Sequence, residues 1–207
     1  MPAFDLRYFQ IAEYIYDAAT KKVSYGEKTA VGDAISANLE LKYAEGRLYA
    51  EGRLAEYMKL ATGGTVSMGV KRILAPAQAL MFGTATVKRK VGAKDIDTTR
   101  YATKDAAKYV GFSFYVADMI DGATKYTTMF VAKALFGPPG WSYQTKGQNI
   151  TFNTPTTVGE FLADDSTDEI LIDSAVCDSI DDARAWCDAV LTSAEAEAGD
   201  DEGAADT

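Results

Sequence analysis

The sequence predicts a mainly β fold, an antiparallel β-sandwich or barrel with one or two flanking short helices. Three observations predict it. Segments rich in aromatic and β-branched residues are separated by glycine-containing turns, and signals for helices are few. With 207 residues, the chain has room for one ordinary domain with a proper core. We therefore expect a single β domain over residues 1–192, followed by a C-terminal tail over 193–207.

The clearest hairpin signal lies in the middle of the chain. Tyr109–Asp118 and Thr124–Phe136 are rich in aromatic and β-branched residues, and Asp121-Gly122 lies between them. Two such runs around a glycine-containing turn are typical of a β-hairpin. Three further segments are predicted to be strands: Ile35–Leu41, Thr65–Val70 and Gln148–Phe161, where Ile150, Phe152 and Thr154 fall on one face.

Two short helices are predicted. Ala75–Phe82 has Pro76 in its first turn and Gly83 just past its end, which is the asymmetry expected of a short helix. The second helix is predicted to begin near Ser179, whose hydroxyl can cap it with Asp182 as the reciprocal acid. A strand with Ile170, Ile172 and Val176 is predicted before this helix. The predicted buried residues of the helix are spaced i, i+3, i+4, i+7: Ala183, Trp186, Cys187 and Val190.

Residues 42–58 contain a direct repeat, because the hexapeptide YAEGRL occupies both 43–48 and 49–54. Apolar residues upstream, Leu39 and Leu41, fall on odd positions, so the apolar parity changes near Tyr43 and marks a bulge or a turn. Counting alternate residues along one strand places a polar and aromatic set on a single face: Tyr43, Glu45, Arg47, Tyr49, Glu51 and Arg53.

Two interpretations of this segment stay open. One is an ordinary surface hairpin with a chance duplication. The other is a long extended arm loop over residues 42–58 that contacts a neighbouring copy, because tyrosine and arginine are enriched at protein interfaces. Under the second interpretation the candidate contact residues are Tyr43, Arg47, Tyr49, Glu51, Arg53 and Tyr57.

Charge is unevenly distributed along the chain. The whole chain carries −9, whereas residues 161–207 alone carry −14, so residues 1–160 carry +5. The stretch from Ser193 to Thr207 is almost only Ala, Glu, Asp and Gly, and it is predicted to be a disordered acidic tail. The basic run Lys88-Arg89-Lys90 lies beside Gly92, which favours a solvated hairpin or a charge-paired contact over a nucleic-acid site.

The composition disfavours an enzyme. The chain has no histidine, the most common general base and metal ligand, so serine or cysteine triads of the usual kind cannot form. No phosphate-binding, dinucleotide-binding or nucleophile-elbow motif occurs, and Asp164-Asp165 and Asp181-Asp182 are better explained by local structure. Cys177 and Cys187 are predicted to be reduced thiols. We expect no catalytic residues, no metal site and no cofactor. No apolar run is long enough to span a membrane and no secretory signal is present.

Several motifs, taken in order, resemble the major tail tube protein family of long-tailed bacteriophages. Each is weak alone, but their order and spacing over residues 30–190 are more specific. The chain carries glycine at position 52, where family members commonly have a second acid, and its acidic tail looks like an addition. The motifs are Leu48-Tyr49-Ala50-Glu51, Leu54-Ala55-Glu56-Tyr57, Gly64 to Val70, Ala79-Leu80-Met81-Phe82-Gly83, Tyr109-Val110-Gly111-Phe112, the strand after Lys125-Tyr126, Tyr143 to Gly147, Phe152 to Thr156, and the helix with Ala183 and Trp186.

The resemblance implies a structural subunit and no enzymatic activity. Six copies would form a ring whose edge strands pair, and rings would stack through the arm into a hollow tube. The arm would be poorly ordered in the free subunit and ordered between rings. DNA would pass through the lumen without specific binding, because an acidic wall repels phosphates. The implied partners are further copies of the chain and the tape measure, tail terminator and distal tail proteins. The implied location is the virion tail, after assembly in the host cytoplasm.

Two other functions stay open at this point. A tube protein of a contractile tail, injection particle or secretion system would share a ring-forming β-sandwich. A monomeric β-sandwich module that binds a sugar or a peptide belongs to a different class. Such a module would expose an aromatic groove and stay monomeric at high concentration.

Overall fold

A computed structural model describes residues 3–141, 145 and 154–192. The fold is mainly β, with 62% of the described residues in strands and 11% in helices, which confirms the predicted class. The pairing of all strands is antiparallel within this part of the chain. The elements are β1 (Ala3–Asp17), β2 (Lys22–Tyr25), β3 (Thr29–Gly32), β4 (Ala34–Ala50), β5 (Arg53–Val70), α1 (Ala75–Phe82), β6 (Ala85–Val91), β7 (Lys94–Arg100), β8 (Val110–Ile120), β9 (Ala123–Phe136), β10 (Thr156–Leu162), β11 (Ile172–Cys177) and α2 (Ile180–Val190).

Nine strands form one sheet in the order β2-β1-β8-β9-β10-β5-β4, with β3 beside β1 and β11 beside β9. The sheet must curl, because β1, β3, β5, β8, β9 and β10 all contribute to one core. That core includes Phe9, Val31, Val66, Phe112, Phe136 and Phe161, and Met81 of α1 packs into it. The core therefore lies inside the curled sheet, as in a sandwich or barrel.

The second helix packs on the opposite face of the sheet, against β8, β9, β11 and β1. Ser179 caps it as predicted, because its Oγ accepts a hydrogen bond from the Asp182 N–H at 3.1 Å. Ala183 and Cys187 are buried, as predicted, whereas Trp186 and Val190 are only partly buried. The Ser113 hydroxyl donates to the Cys187 carbonyl at 3.1 Å, so the helix is tied to β8.

Most local predictions are confirmed. Helix α1 has the predicted bounds, and Gly83 ends it with φ of 71°. Strands β8 and β9 form the predicted hairpin around Asp121-Gly122. Strand β11 begins at Ile172 and includes Val176, but Ile170 precedes it. The predicted strand before Phe161 begins at Thr156; its earlier residues 148–153 and the tail over 193–207 lie outside the described residues.

The basic run lies in a separate two-stranded hairpin formed by β6 and β7. Lys88 lies opposite Asp97 and Lys90 lies opposite Asp95, so acids face the two lysines across the pair. This confirms the hairpin interpretation of the run. Within the described residues, no helix is long and apolar enough to cross a membrane.

Candidate functional site

The distal part of the β4–β5 hairpin protrudes from the domain. The two strands are paired from Ala34 opposite Val70 to Ala50 opposite Arg53, and every residue from 40 to 62 is exposed. Leu41 to Ala50 alone extends about 33 Å at the rise of a β-strand. The segment predicted as an arm loop over 42–58 is therefore a paired hairpin, with register shifts between Lys42 and Tyr43 and between Leu48 and Tyr49. The predicted bulge near Tyr43 is present, and its extra residue is Thr62 on the partner strand.

One face of this protruding hairpin carries aromatic and charged side chains that contact each other. The Lys59 ammonium lies 4.2 Å from the centre of the Tyr43 ring, and the Arg47 guanidinium lies 5.5 Å from that of Tyr57. Glu45 lies 3.5 Å from both Lys59 and Arg47. The pKa of Tyr57 is raised, first by desolvation and then by its hydrogen bond to Glu45. The charged and aromatic side chains of this face therefore pair with one another within a single subunit.

The opposite face of the hairpin has an apolar stretch with no packing partner among the described residues. Ala44 faces Leu60 across the pair and Gly46 faces Met58; Leu48 follows on the same side, where it faces Glu56 and so ends the apolar stretch. The side chains of Leu48, Met58 and Leu60 are 56%, 63% and 58% exposed. We call this set, Ala44, Gly46, Leu48, Met58 and Leu60, the apolar face. Sequence reasoning missed Met58 and Leu60, because only the hairpin register reveals that they join Leu48.

The alternation counted along one strand does not place Tyr43, Glu45, Arg47, Tyr49, Glu51 and Arg53 on one face, so that assignment of faces is wrong. The contact role of the six candidate residues stays a prediction. The chain reverses at Glu51-Gly52, where φ is 51° and 75°, so an alternation counted along one strand cannot continue through the turn. Arg53 lies opposite Ala50 and thus on the side of the apolar face. Tyr43, Arg47 and Tyr57 belong to the internally paired face. The side chains of Tyr49, Glu51 and Arg53 lie at the tip and form no hydrogen bond or ion pair with a described residue.

A second surface feature is an open cavity of about 340 Å³ next to α1. The rings of Tyr101 and Trp141 meet edge to face there, with centroids 5.1 Å apart. The Tyr101 hydroxyl donates to Gln78 at 3.2 Å, and partial burial raises its pKa. Lys71 and Arg72 also line the cavity. Two aromatic rings beside two cations could hold a planar or anionic ligand.

The acidic pairs hold local structure, as predicted. Asp164 accepts hydrogen bonds from the Ser166 hydroxyl at 2.6 Å and from the Ile170 N–H at 2.9 Å. Asp165 pairs with Lys133, which holds the pKa of that carboxyl below its usual range. Asp181 and Asp182 lie in the first turn of α2. Among the described residues, no group of three or more Cys, Asp or Glu side chains is placed to hold a metal ion.

Comparison of the chain with protein-family models and with curated proteins finds no match.

Proposed function

We propose that this chain is the structural subunit of a phage tail tube. In this proposal rings, which we take to be hexamers, stack into a hollow tube that conducts DNA during ejection. The observation that carries the proposal is the β4–β5 hairpin, which is exposed on both faces from residue 40 to residue 62.

An isolated two-stranded hairpin is marginally stable in water, because it buries little surface on either side. Here the apolar face exposes three large apolar side chains, Leu48, Met58 and Leu60, each more than half accessible to water. Burial against another subunit would stabilise the hairpin and remove this patch from water. Stacking through the hairpin supplies such a contact.

Ring formation would address the open edge of the sheet. Strand β4 is 17 residues long and, within the described residues, pairs only with β5. A long unpaired edge is prone to uncontrolled association unless another strand or chain covers it. Pairing with the next subunit in a closed ring covers such an edge on every copy. The same argument applies to the tube of a contractile or injection system, which a neighbouring sheath gene would identify.

The test is to shorten the hairpin without disturbing its base. Tyr43 lies opposite Ala61 in the hairpin. Replacing residues 44–60 by Asn-Gly therefore joins this pair of residues by a two-residue turn that β-hairpins favour. We expect the wild-type chain to form rings and tubes on concentration, and the shortened chain to fold but form no tubes. Light scattering after size exclusion and negative-stain imaging measure both.

A matched control shortens the other exposed hairpin. Lys88 lies opposite Asp97, so replacing residues 89–96 by Asn-Gly removes the shorter tip of this hairpin with the same turn, and we expect tubes from this variant. Tubes of normal length from the variant that lacks residues 44–60 would contradict the proposal. So would a wild-type chain that stays monomeric at millimolar concentration.

A monomeric ligand-binding module is the second candidate, and the aromatic cavity with Tyr101 and Trp141 favours it. Trp141 is 56% exposed, so a ligand that stacks on it should change tryptophan fluorescence. Titration with a panel of oligosaccharides and acidic peptides tests this, with Trp141→Ala as the control. Saturable binding by a chain that never assembles would favour this candidate over the tube.

A further inference from the structure

A second cavity, of about 510 Å³, opens at the start of β1. Residues 3–8 of β1 pair with β8 on one side, but β3 joins the other side only from Phe9 onward. The gap between this free edge and the β3–β4 connection is where the cavity lies. Asp5 and Tyr8 line it with φ of 62° and 66°, and each falls at a register shift against β8. Such strained positions concentrate at binding sites.

The cavity presents one unpaired charge, the guanidinium of Arg184. The two acids that line it are already paired, Asp5 with Arg7 at 2.8 Å and Asp33 with Lys71 at 3.6 Å. Arg184 contacts the Tyr8 ring at 5.6 Å but forms no ion pair with a described residue. The nearby carboxylate of Asp188 is occupied by the Tyr8 hydroxyl at 3.0 Å and by Lys28 at 2.5 Å.

Tyr115 also lines this cavity and is 1% exposed. Its hydroxyl is buried without a hydrogen-bond partner among the described residues, which costs free energy unless an acceptor arrives. The apolar side chain of Leu74 also lines the cavity and is 42% exposed. The cavity therefore matches a carboxylate carried beside an apolar side chain.

The tip of the β4–β5 hairpin has this chemistry. Glu51 occupies the turn, and it forms no hydrogen bond or ion pair with a described residue. Leu48 and Leu54 lie three residues before and after it, on opposite faces of the hairpin, with exposures of 56% and 53%. A carboxylate with an exposed leucine on each face of the tip complements a guanidinium, an orphan hydroxyl and the apolar side chain of Leu74.

We propose that the hairpin tip of one copy docks into this cavity of a second copy, with the Glu51 carboxylate on the Arg184 guanidinium. The inference rests on the proposed stacking function and names its receiving site.

A subunit cannot fill its own cavity in this way. Strand β4 begins at Ala34, which lines the cavity, and remains paired with β5 as far as Ala50. The tip is therefore about 50 Å along the strand from the cavity of the same chain. Two complementary surfaces at opposite ends of one strand form a heterologous, head-to-tail contact, and such contacts continue as open stacks.

Charge reversal tests the contact. Glu51→Arg and Arg184→Glu should each raise the concentration needed for tube growth at least about tenfold, and the double variant should restore growth. An equimolar mixture of the two single variants should also grow, because each tip then meets an opposite charge in the other chain. Asp121→Arg, in a turn with the same φ values, is the matched control and should grow normally.

Circular dichroism and chemical denaturation establish that each variant folds, and Glu51→Gln and Arg184→Gln, with smaller expected effects, replace any variant that does not. If the single variants grow normally while the variant that lacks residues 44–60 does not, the cavity is not the receiving site and the stacking function stands. If that shortened variant grows normally, the stacking function itself fails. Single variants that stop growth without rescue by the double variant or the mixture would overturn the pairing of Glu51 with Arg184.

Discussion

The β4–β5 and β8–β9 hairpins use the same turn and have opposite environments. Glu51-Gly52 closes the first with φ of 51° and 75°, and Asp121-Gly122 closes the second with 52° and 79°. These positive values are those of the type I′ turn that two-residue hairpins favour. Yet residues 40–62 of the first hairpin are exposed, whereas β8 and β9 run through the core.

The difference lies in the side chains that the strands carry. Strand β8 places Phe112 and Phe114 in the main core and Tyr115 beneath α2. The distal part of β4 carries alanine, glycine and a single leucine on its corresponding side, with no second layer among the described residues. The turn thus determines that a hairpin forms, and the packing of both faces determines how stable it is on its own.

The largest expected effect contrasts a side chain from each hairpin. Phe112→Ala should lower the free energy of unfolding by about 3–5 kcal/mol, because it opens a cavity in the core. Leu48→Ala should change it by no more than about 0.5 kcal/mol in the isolated subunit, because Leu48 is exposed. Urea denaturation measures both. An effect of Leu48→Ala as large as that of Phe112→Ala would show that the hairpin packs within its own subunit.

A smaller effect is expected at the two turns. An alanine Cβ at Gly52 or Gly122 would meet no atom within 4 Å, so each substitution tests backbone strain alone. Gly122→Ala should cost about 1–2 kcal/mol of global stability, because β8 and β9 unfold with the core. Gly52→Ala should leave global stability unchanged and speed amide hydrogen exchange between residues 44 and 60. Equal global costs would mean that the two hairpins unfold together.

The smallest expected effect is the pH dependence of the stability that Lys133 of β9 and Asp165 contribute. Lys133 lies over the rings of Tyr14 and Tyr109 and pairs with Asp165. Its hydrogen bond lowers the pKa of Asp165, so the stabilisation is complete above the usual aspartate pKa and is lost as pH falls through the lowered value. Asp165→Asn should cost about 1 kcal/mol or less at pH 7, because the carboxylate is 43% exposed.

The difference between Asp165→Asn and the wild-type chain should shrink as the pH falls through the lowered pKa of Asp165. Denaturation curves at pH 7 and pH 2.5 measure it. A cost that persists undiminished in acid would assign the stabilisation to packing rather than to the ion pair.

The sequence was sufficient to predict those elements whose signals lie within one short segment. The bounds of α1, the capped start of α2 and the β8–β9 turn each depend on residues within one short segment, and all three were predicted. The polar alternation of residues 43–49 was also recognised. Its assignment to faces beyond Glu51 failed because the turn reverses the strand, and no residue spacing within one strand reveals the partner register.

Strand β1 was not predicted, because its bulges break the alternation. Leu6 packs towards the core from an even position, whereas Phe9 and Ile11 do so from odd positions. The register shift between Arg7 and Gln10 accounts for the change. The cavity with Arg184 was missed for the same reason, since it lies at this irregular edge and brings together residues far apart in sequence.

The burial of Cys187, on the inner face of α2, supplies a built-in chemical reporter. Burial raises the pKa of the Cys187 thiol to about 12, and the side chain is fully enclosed. Alkylating reagents react with thiolates and need access. The rate at which Cys187 is labelled therefore reports how often the helix opens from the sheet, without an engineered cysteine.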